Sequence, residues 1–368
     1  MKKKKVAVVF GGRSGEHVVS LRSAASIMEA IDTERYEIIP VGITREGIWL
    51  TGSDTWLSLW EQRAPREAAR AVLLTDPTNP GLLVQSNQSP TEWQYQPVDL
   101  AFPVLHGTYG EDGTIQGLFD MAGMPYVGSG VLASSTGMDK VFMKALFMHC
   151  GLPVASYLNF SRLQWNEESG YWLEQVKTRL GFPCFVKPAN LGSSVGISKA
   201  FTEEELTKAV EEALLYDDKA VVEKFVEGRE IECAVLGDSE IEASRPGEII
   251  PCNDFYDYRA KYIDDRSSLV IPVELGDRLE KSIKDYSIKA FQAVEASGLA
   301  RVDFFVSPAD GSVIINEINT MPGFTSISMY PKLWEASGVG YRELVNKLMT
   351  IAESRFQRRQ ALMFAPPE

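Results

Sequence analysis

An apolar strand, a glycine-rich turn and a helix follow one another in KVAVVFGGRSGEHVVSLRSAASIMEAI, and this alternation constrains the fold more than any other feature. YEIIPVGIT and VDLAFPVLHG read as further strands, and GTIQGLFDMAG as a short helix before MPYVGS. Strands alternating with helices fold into a parallel sheet wound by crossovers. A parallel α/β domain is therefore expected over residues 1–137, with 51–97, rich in Trp, Pro, Gln, Ser and Asn, as its peripheral elaboration. At 368 residues the chain is too long for one small core, so further domains are expected.

The next unit, 138–227, opens with MDKVFMKALFMHCG, which has helical spacing and a terminal glycine. Strand PVASYLNF, helix YWLEQVKTRLG and strand FPCFVKP follow. The acidic helix TEEELTKAVEEALLYD has Thr202 as N-cap and Glu205 at the capping-box position, and strand AVVEKFV closes the unit. A third unit, 228–368, contains the strands EIECAVLG and EIEASRPGEII, the polar stretch CNDFYDYRAKYIDDRSS and a long helix. Two apolar strands, ARVDFFV and SVIINEI, and an amphipathic last helix complete it. The expected fold class is α/β with α+β.

Charge and cysteine usage exclude several functions. Lys and Arg number 37 against 50 Asp and Glu, a net charge of −13, which disfavours nucleic acid and anionic membranes as partners. Cys150, Cys184, Cys233 and Cys252 form no ligand-spaced pair, and with three histidines a structural zinc is not expected. The basic start MKKKKVAVVFGG imitates a signal peptide, but its apolar run is about five residues where about 7–15 are needed. No stretch approaches the ~20 apolar residues of a membrane span. A reduced, cytoplasmic chain is expected.

The late strands carry the first chemical signal. Joined by SPADGS, with Ala309-Asp310-Gly311 as a three-residue loop, they pair residues whose numbers sum to 620. Asp303 then faces Glu317, and Arg301 faces Asn319, on one face of the hairpin. Opposed acids need neutralising, and Asp, Glu and Asn oxygens suit a hard cation such as Mg2+. The other reading is a surface pair with Arg301 as its partner. In FVKPANLGSSVGISKA, Lys187 precedes the turn Gly192-Ser193-Ser194, whose N–H groups could cradle phosphate, although such turns also serve as plain connectors. Lys140 opens the preceding helix. In VVEKFVEGRE, Glu223 could accept from an adenine amino group and Glu230 from ribose hydroxyls, or both could form a solvated acidic rim.

Taken in order, Lys140, Lys187 with its turn, Glu223 to Glu230, Asp303 and Glu317-x-Asn319 resemble the ATP-grasp superfamily, in which two α+β units clamp ATP. No Walker A pattern competes with that. GGRSGEHVVS, HGTYGEDGTIQG, YDYRAKYID and EINTMPGFTSIS narrow the resemblance to the larger form of the D-alanine–D-alanine ligase family, across nearly the whole chain. The resemblance implies an N-terminal parallel α/β domain followed by a two-domain ATP-grasp clamp, with a lid at about 253–268. It implies that Glu16 holds the ammonium of the first D-alanine near His106, and that Ser193 links Glu16 to Tyr262. Lys140 and Lys187 would contact the ATP phosphates, with Lys261 on the lid beside Tyr262. Glu223, Lys224, Val226 and Glu230 would receive adenine and ribose. Asp303, Glu317 and Asn319 would hold two Mg2+ ions, with Mn2+ as the alternative. Ser328 and the Met329 backbone would take the carboxylate of the second D-alanine, and Arg301 with the Gly323 N–H would stabilise the oxyanion.

The activity so implied is ligation of two D-alanines through a D-alanyl phosphate, for peptidoglycan precursors, by a homodimer. Tyr262 at the lid favours the dipeptide over a D-lactate ester. The rivals are the same fold with D-lactate or D-serine as acceptor, a catalytically dead nucleotide-binding regulator, and an NAD-dependent oxidoreductase using the N-terminal turn, which lacks a full G-x-G-x-x-G. His106 reads equally well as a satisfied structural histidine. His17 reads as a helix-start residue and His149 as a helix C-terminal one. The Trp and Gln residues of 51–97 carry no assigned role.

Overall fold

The computed structural model describes residues 2–86, 88–250 and 268–363. Strand Lys4–Gly11, buried from Val6 onward, pairs in parallel with Tyr36–Ile43 on one side and Leu100–Val104 on the other. Helix His17–Ala30 makes the first crossover. The parallel unit expected from the alternation is thus present, but the sheet continues beyond it. Trp49–Thr51 pairs antiparallel with Tyr36–Ile43, and Ala69–Leu73, Gly81–Gln85 and Trp93–Pro97 follow, giving seven strands of mixed direction. Residues 51–97 are therefore an antiparallel extension of the sheet edge. Antiparallel neighbours need no crossover helix, so the alternation rule does not reach them.

This extension also turns inward. Its helix Thr55–Trp60 leans on His17–Ala30, where the Trp56 Nε1–H donates to the Leu21 carbonyl at 2.8 Å. Trp56 and Trp60 stack with ring centroids 5.4 Å apart. Trp56→Phe keeps an aromatic ring but removes that donor, so a loss of about 1 kcal/mol is expected in urea denaturation. An unchanged midpoint would mean that the bond contributes nothing to stability.

The second sheet runs Ser198–Ala200, Cys184–Pro188, Lys219–Lys224, Tyr157–Ser161, all antiparallel. Helices Arg162–Arg179 and Glu203–Tyr216 bury Trp165, Val176, Leu206 and Val210 against Val186 and Val222. Thr202 caps the second helix as expected, its Oγ1 accepting from the Glu205 N–H at 3.2 Å. Glu205 reaches back one residue further, to the Phe201 N–H at 2.7 Å.

The third sheet is antiparallel in the order Ser268–Val270, Gly247–Ile250, Arg229–Gly237, Gly298–Val306, Val313–Asn319, with Ile241–Ala243 beside Arg229–Gly237. Helices Asp277–Ala293 and Lys140–His149 bury Ile283, Phe291, Met143 and Phe147 against Val302, Phe304 and Ile315. The C-terminal helices Met329–Ala336 and Tyr341–Gln360 instead complete the core of the first sheet, where Tyr330, Leu344 and Leu348 meet Phe10 and Phe102. The first and third sheets thereby share one core, to which Ala234, Leu236 and Leu299 of the third sheet also contribute. Among the described residues no helix is long and apolar enough to cross a membrane. Cys150, Cys184 and Cys233 are free thiols, and burial pushes Cys184 and Cys233 up to about 11.

Candidate active site

The hairpin of the third sheet holds the centre of the site. Arg301 faces Asn319 and Asp303 faces Glu317, as the sum of 620 requires. The loop differs from the expected one. Ser307 and Ser312 close it, Gly311 lies at φ +70°, and Val306 faces Val313, a sum of 619. A bulge at Asn316 inserts the missing residue and restores the register at the carboxylates. Its second effect is to bring Asn316 and Glu317, consecutive in sequence, to the lining of the same cavity.

Arg301 grips Asp303 with two bonds of 2.7 Å, from Nε and Nη2, and lies 3.0 Å from Glu232 Oε2. Burial alone would lower its basicity, but Asp303 and Glu232 outweigh it and keep the guanidinium charged. The ion pair proposed as the bland alternative at this hairpin therefore exists. It is not a surface pair: the Arg301 side chain is 17% exposed and that of Asp303 14%. Asn319 donates to Asp303 Oδ2 at 3.1 Å.

Three loops converge on this centre. Glu16 stands at the N-terminus of helix His17–Ala30 without capping it, and its carboxylate accepts from Ser193 Oγ. Ser193 and Ser194 both have positive φ, 54° and 57°, a strained left-handed pair for non-glycine residues that cups the backbone of the turn. Lys140 Nζ donates to the Leu191 carbonyl of that loop at 2.8 Å and lies 3.7 Å from Glu317.

His106 is buried with both ring nitrogens engaged inside the protein. Nδ1 pairs with the Met321 carbonyl at 2.9 Å and Nε2 with Ser23 Oγ at 3.2 Å. Burial would lower its pKa, but nearby Glu111 raises it. These bonds make it a buckle between the first sheet and the Met321–Pro322–Gly323 turn. Ser328 precedes helix Met329–Ala336 in extended conformation, and its Oγ is turned to the Thr325 N–H at 3.1 Å. The first N–H groups of that helix remain as orphan donors, suited to a carboxylate.

Two cavities meet here. One, of about 320 Å³, is lined by Lys187, Glu223, Lys224, Val226 and Glu230, with Asp303, Asn316 and Glu317 at its inner end. The other, of about 630 Å³, is lined by Glu16, His106, Ser193, Arg301, Gly323, Ser328 and Met329, again with Glu317, and with Asn319. Glu317 belongs to the wall of both. A space of about 50 Å³ beside Lys140, Gly192 and Ser193 adjoins them. Of the expected nucleotide residues Lys187, Glu223, Lys224, Val226 and Glu230 share one cavity, Lys140 lies apart in the small space, and the expected amino-acid residues line the other cavity. Lys261 and Tyr262, with nearly all of the expected lid, lie outside the described residues.

Several residues of the site were not foreseen. Glu232 faces Asp303 across strands and shares Arg301 with it. Trp56 and Trp60 line the larger cavity, so the extension 51–97 supplies part of its wall. Lys144 is fully buried, 3.1 Å from Glu223 Oε1, while Lys187 is 3.0 Å from Oε2. The available signals were a glutamate within the apolar strand EIECAVLG and a second lysine one helical turn after Lys140.

Burial would raise the Glu223 carboxyl, but Lys144 and Lys187 hold it down, at about 2. The folded value lies below the ordinary 4.5, so its stabilisation is complete above that pH and is lost as the pH falls toward about 2. The difference corresponds to roughly 3 kcal/mol. In urea denaturation the advantage of wild type over Glu223→Gln should shrink as the pH falls from about 5 to about 3. A constant difference would show that the carboxylate is not held by charge.

Among the described residues no three His, Cys, Asp or Glu side chains converge as a preformed metal cluster. The donors at the junction are the hard oxygens of Asp303, Glu317 and Asn319, chemistry that fits Mg2+ completed by phosphate oxygens.

Comparison with known proteins agrees over the whole length. The family models "D-ala D-ala ligase N-terminus" and "D-ala D-ala ligase C-terminus" match residues 5–129 and 146–350. The D-alanine–D-alanine ligase of Heliobacterium modesticaldum is 50% identical over 98% of this chain and 97% of its own, and that of Natranaerobius thermophilus 48% over the same shares. Among solved structures, the D-alanine–D-alanine ligase from Coxiella burnetii superposes with TM-score 0.83 at 36% identity, covering 98% of this chain and 97% of that one. The VanG D-Ala:D-Ser ligase from Enterococcus faecalis gives TM-score 0.85 at 36% identity, covering 95% and 100%.

Proposed function

The chain belongs to the D-alanine–D-alanine ligase family, and from that premise we propose how its two cavities share the reaction. It is an ATP-dependent ligase of the ATP-grasp fold that joins two D-alanines into D-alanyl-D-alanine for peptidoglycan synthesis. ATP occupies the cavity of Lys187, Glu223 and Glu230, with its phosphates toward Lys140, Lys187 and the left-handed Ser193–Ser194 turn. The first D-alanine lies in the larger cavity, its ammonium on Glu16. Its carboxylate oxygen attacks the γ-phosphorus, the bond to ADP breaks, and an acyl phosphate forms. The amine of the second D-alanine, whose carboxylate rests on Ser328 and the Met329 N–H, then attacks the acyl carbon. A C–N bond forms, inorganic phosphate leaves and the amine gives up a proton. Arg301 and the Gly323 N–H face the oxyanion of that step.

Asp303, Glu317 and Asn319 would hold two magnesium ions (or manganese), which would supply positive charge against the transferring phosphoryl group. We further assign residues 1–137, 138–227 and 228–368 to the substrate domain and the two halves of the clamp. The location is cytoplasmic, and the active form is a homodimer.

The observation that carries this reading is Glu317, which lines both cavities and also the small space beside Lys140, where phosphoryl transfer must pass. The test is phosphate release from ATP and Mg2+ with D-alanine, L-alanine, or D-alanine plus D-lactate or D-serine, products being identified by mass. Phosphate released in step with D-alanyl-D-alanine, and only with the D-isomer, is expected. Hydrolysis independent of D-alanine would discard the substrate and keep the nucleotide. A dominant mixed product would replace the acceptor.

A further inference from the structure

Lys144 is fully buried and lines neither cavity, so it cannot meet a substrate directly. A buried ammonium is costly unless it is paired, and this one is held by two groups on different sheets. Its Nζ lies 3.1 Å from Glu223 Oε1, at the end of strand Lys219–Lys224, and 3.4 Å from the Asn316 carbonyl in strand Val313–Asn319. Lys187 repeats the pattern from the other side, 3.0 Å from Glu223 Oε2 and 3.3 Å from Asn316 Oδ1. Two ammonium groups therefore share one carboxylate and one bulged asparagine. Of the two lysines, only Lys187 lines the 320 Å³ cavity.

The charge balance gives this arrangement a purpose. Of the three side chains Lys144, Lys187 and Glu223, two are ammonium groups against one carboxylate, and Lys187, which also feels Glu317 and Glu230, presents the surplus to the cavity. Without Lys144, Glu223 and Lys187 form a closed neutral pair, and the carboxylate is held on one oxygen only. We propose that Lys144 is a positioning residue for the nucleotide: by taking one oxygen of Glu223 and the carbonyl of the Asn316 bulge, it leaves the charge of Lys187 available to phosphate and fixes the wall beneath it. This rests on the nucleotide reading of the smaller cavity.

The test is Lys144→Met, alone and on a Glu223→Gln background, in the full-length enzyme. The dissociation constant for Mg·ADP without D-alanine should rise about tenfold or more, as expected when one partner of a buried charge pair is removed. KM for ATP should rise in parallel, with KM for D-alanine unchanged. On the Glu223→Gln background the same substitution should change Mg·ADP binding less than about twofold, because coupled residues are non-additive. Equal effects on both backgrounds, or unchanged Mg·ADP binding, would overturn the proposal. Should Lys144→Met fail to fold, Lys144→Gln gives the same comparison. Wild-type enzyme that binds no Mg·ADP would instead refute the nucleotide reading itself, so the two failures are separable.

Discussion

Glu317→Gln is expected to lower ligation turnover by about 10³-fold, the scale of removing a charged group aimed at the reacting centre. The substitution is nearly isosteric and leaves the strand pairing with Asp303 in place. Lys140 stands 3.7 Å from its carboxylate, and the Glu317 side chain is 22% exposed. A partly exposed ion pair of that length contributes about 1 kcal/mol or less to folding, and the amide keeps the shape of the side chain, so the urea midpoint is expected to move far less than the turnover. The position explains the asymmetry. Glu317 lines both cavities at once, and on the proposed reading it would, with Asp303, supply the carboxylate charge for a hard cation at their junction. Replacing it by an amide keeps an oxygen ligand but removes that charge. Phosphate release and urea denaturation, measured on the same preparation, check both halves. Near-normal turnover would take Glu317 out of the reaction, and a large fall in stability would make its role structural.

The carboxylate hairpin was legible in the sequence because strand side chains alternate strictly, so a register guess places Asp303, Glu317, Arg301 and Asn319 together. The loop was misjudged by one residue, and the Asn316 bulge cancels that error at the site. Bulges leave no periodic trace, which is also why Asn316 went unread. Residues 51–97 were read as peripheral from their content of Trp, Pro, Gln, Ser and Asn. Only the folded chain shows them extending the first sheet and turning Trp56 and Trp60 toward the larger cavity. Lys144 and Glu232 were missed for a different reason. A lone charge in an apolar stretch looks the same in sequence whether it is solvated or paired, and its partners here come from strands far along the chain.

Gly107→Ala is the second large effect, and it tests whether the Glu16 carboxylate must sit where it does. Gly107 has φ +72°, a conformation costing an L-residue about 1–2 kcal/mol. A Cβ there would stand 2.6 Å from Glu16 Oε2, closer than any contact allows, so the carboxylate has to move. The oxygen displaced is Oε2, while Ser193 donates to Oε1 of the same carboxylate, so the shift also strains the link between the N-terminal turn and the Ser193 loop. A displacement of about 1 Å at a substrate-positioning group costs about 10²-fold in rate. The expected result is a fall of that size in kcat/KM for D-alanine, with Mg·ADP binding unchanged because the smaller cavity is lined by neither residue. Gly15→Ala is the control: it adjoins Glu16 in sequence, yet its Cβ meets nothing within 4 Å, so its activity should match wild type. If Gly107→Ala also matched wild type, the carboxylate would have a second position that serves equally well, and Glu16 could not be what orients the first D-alanine.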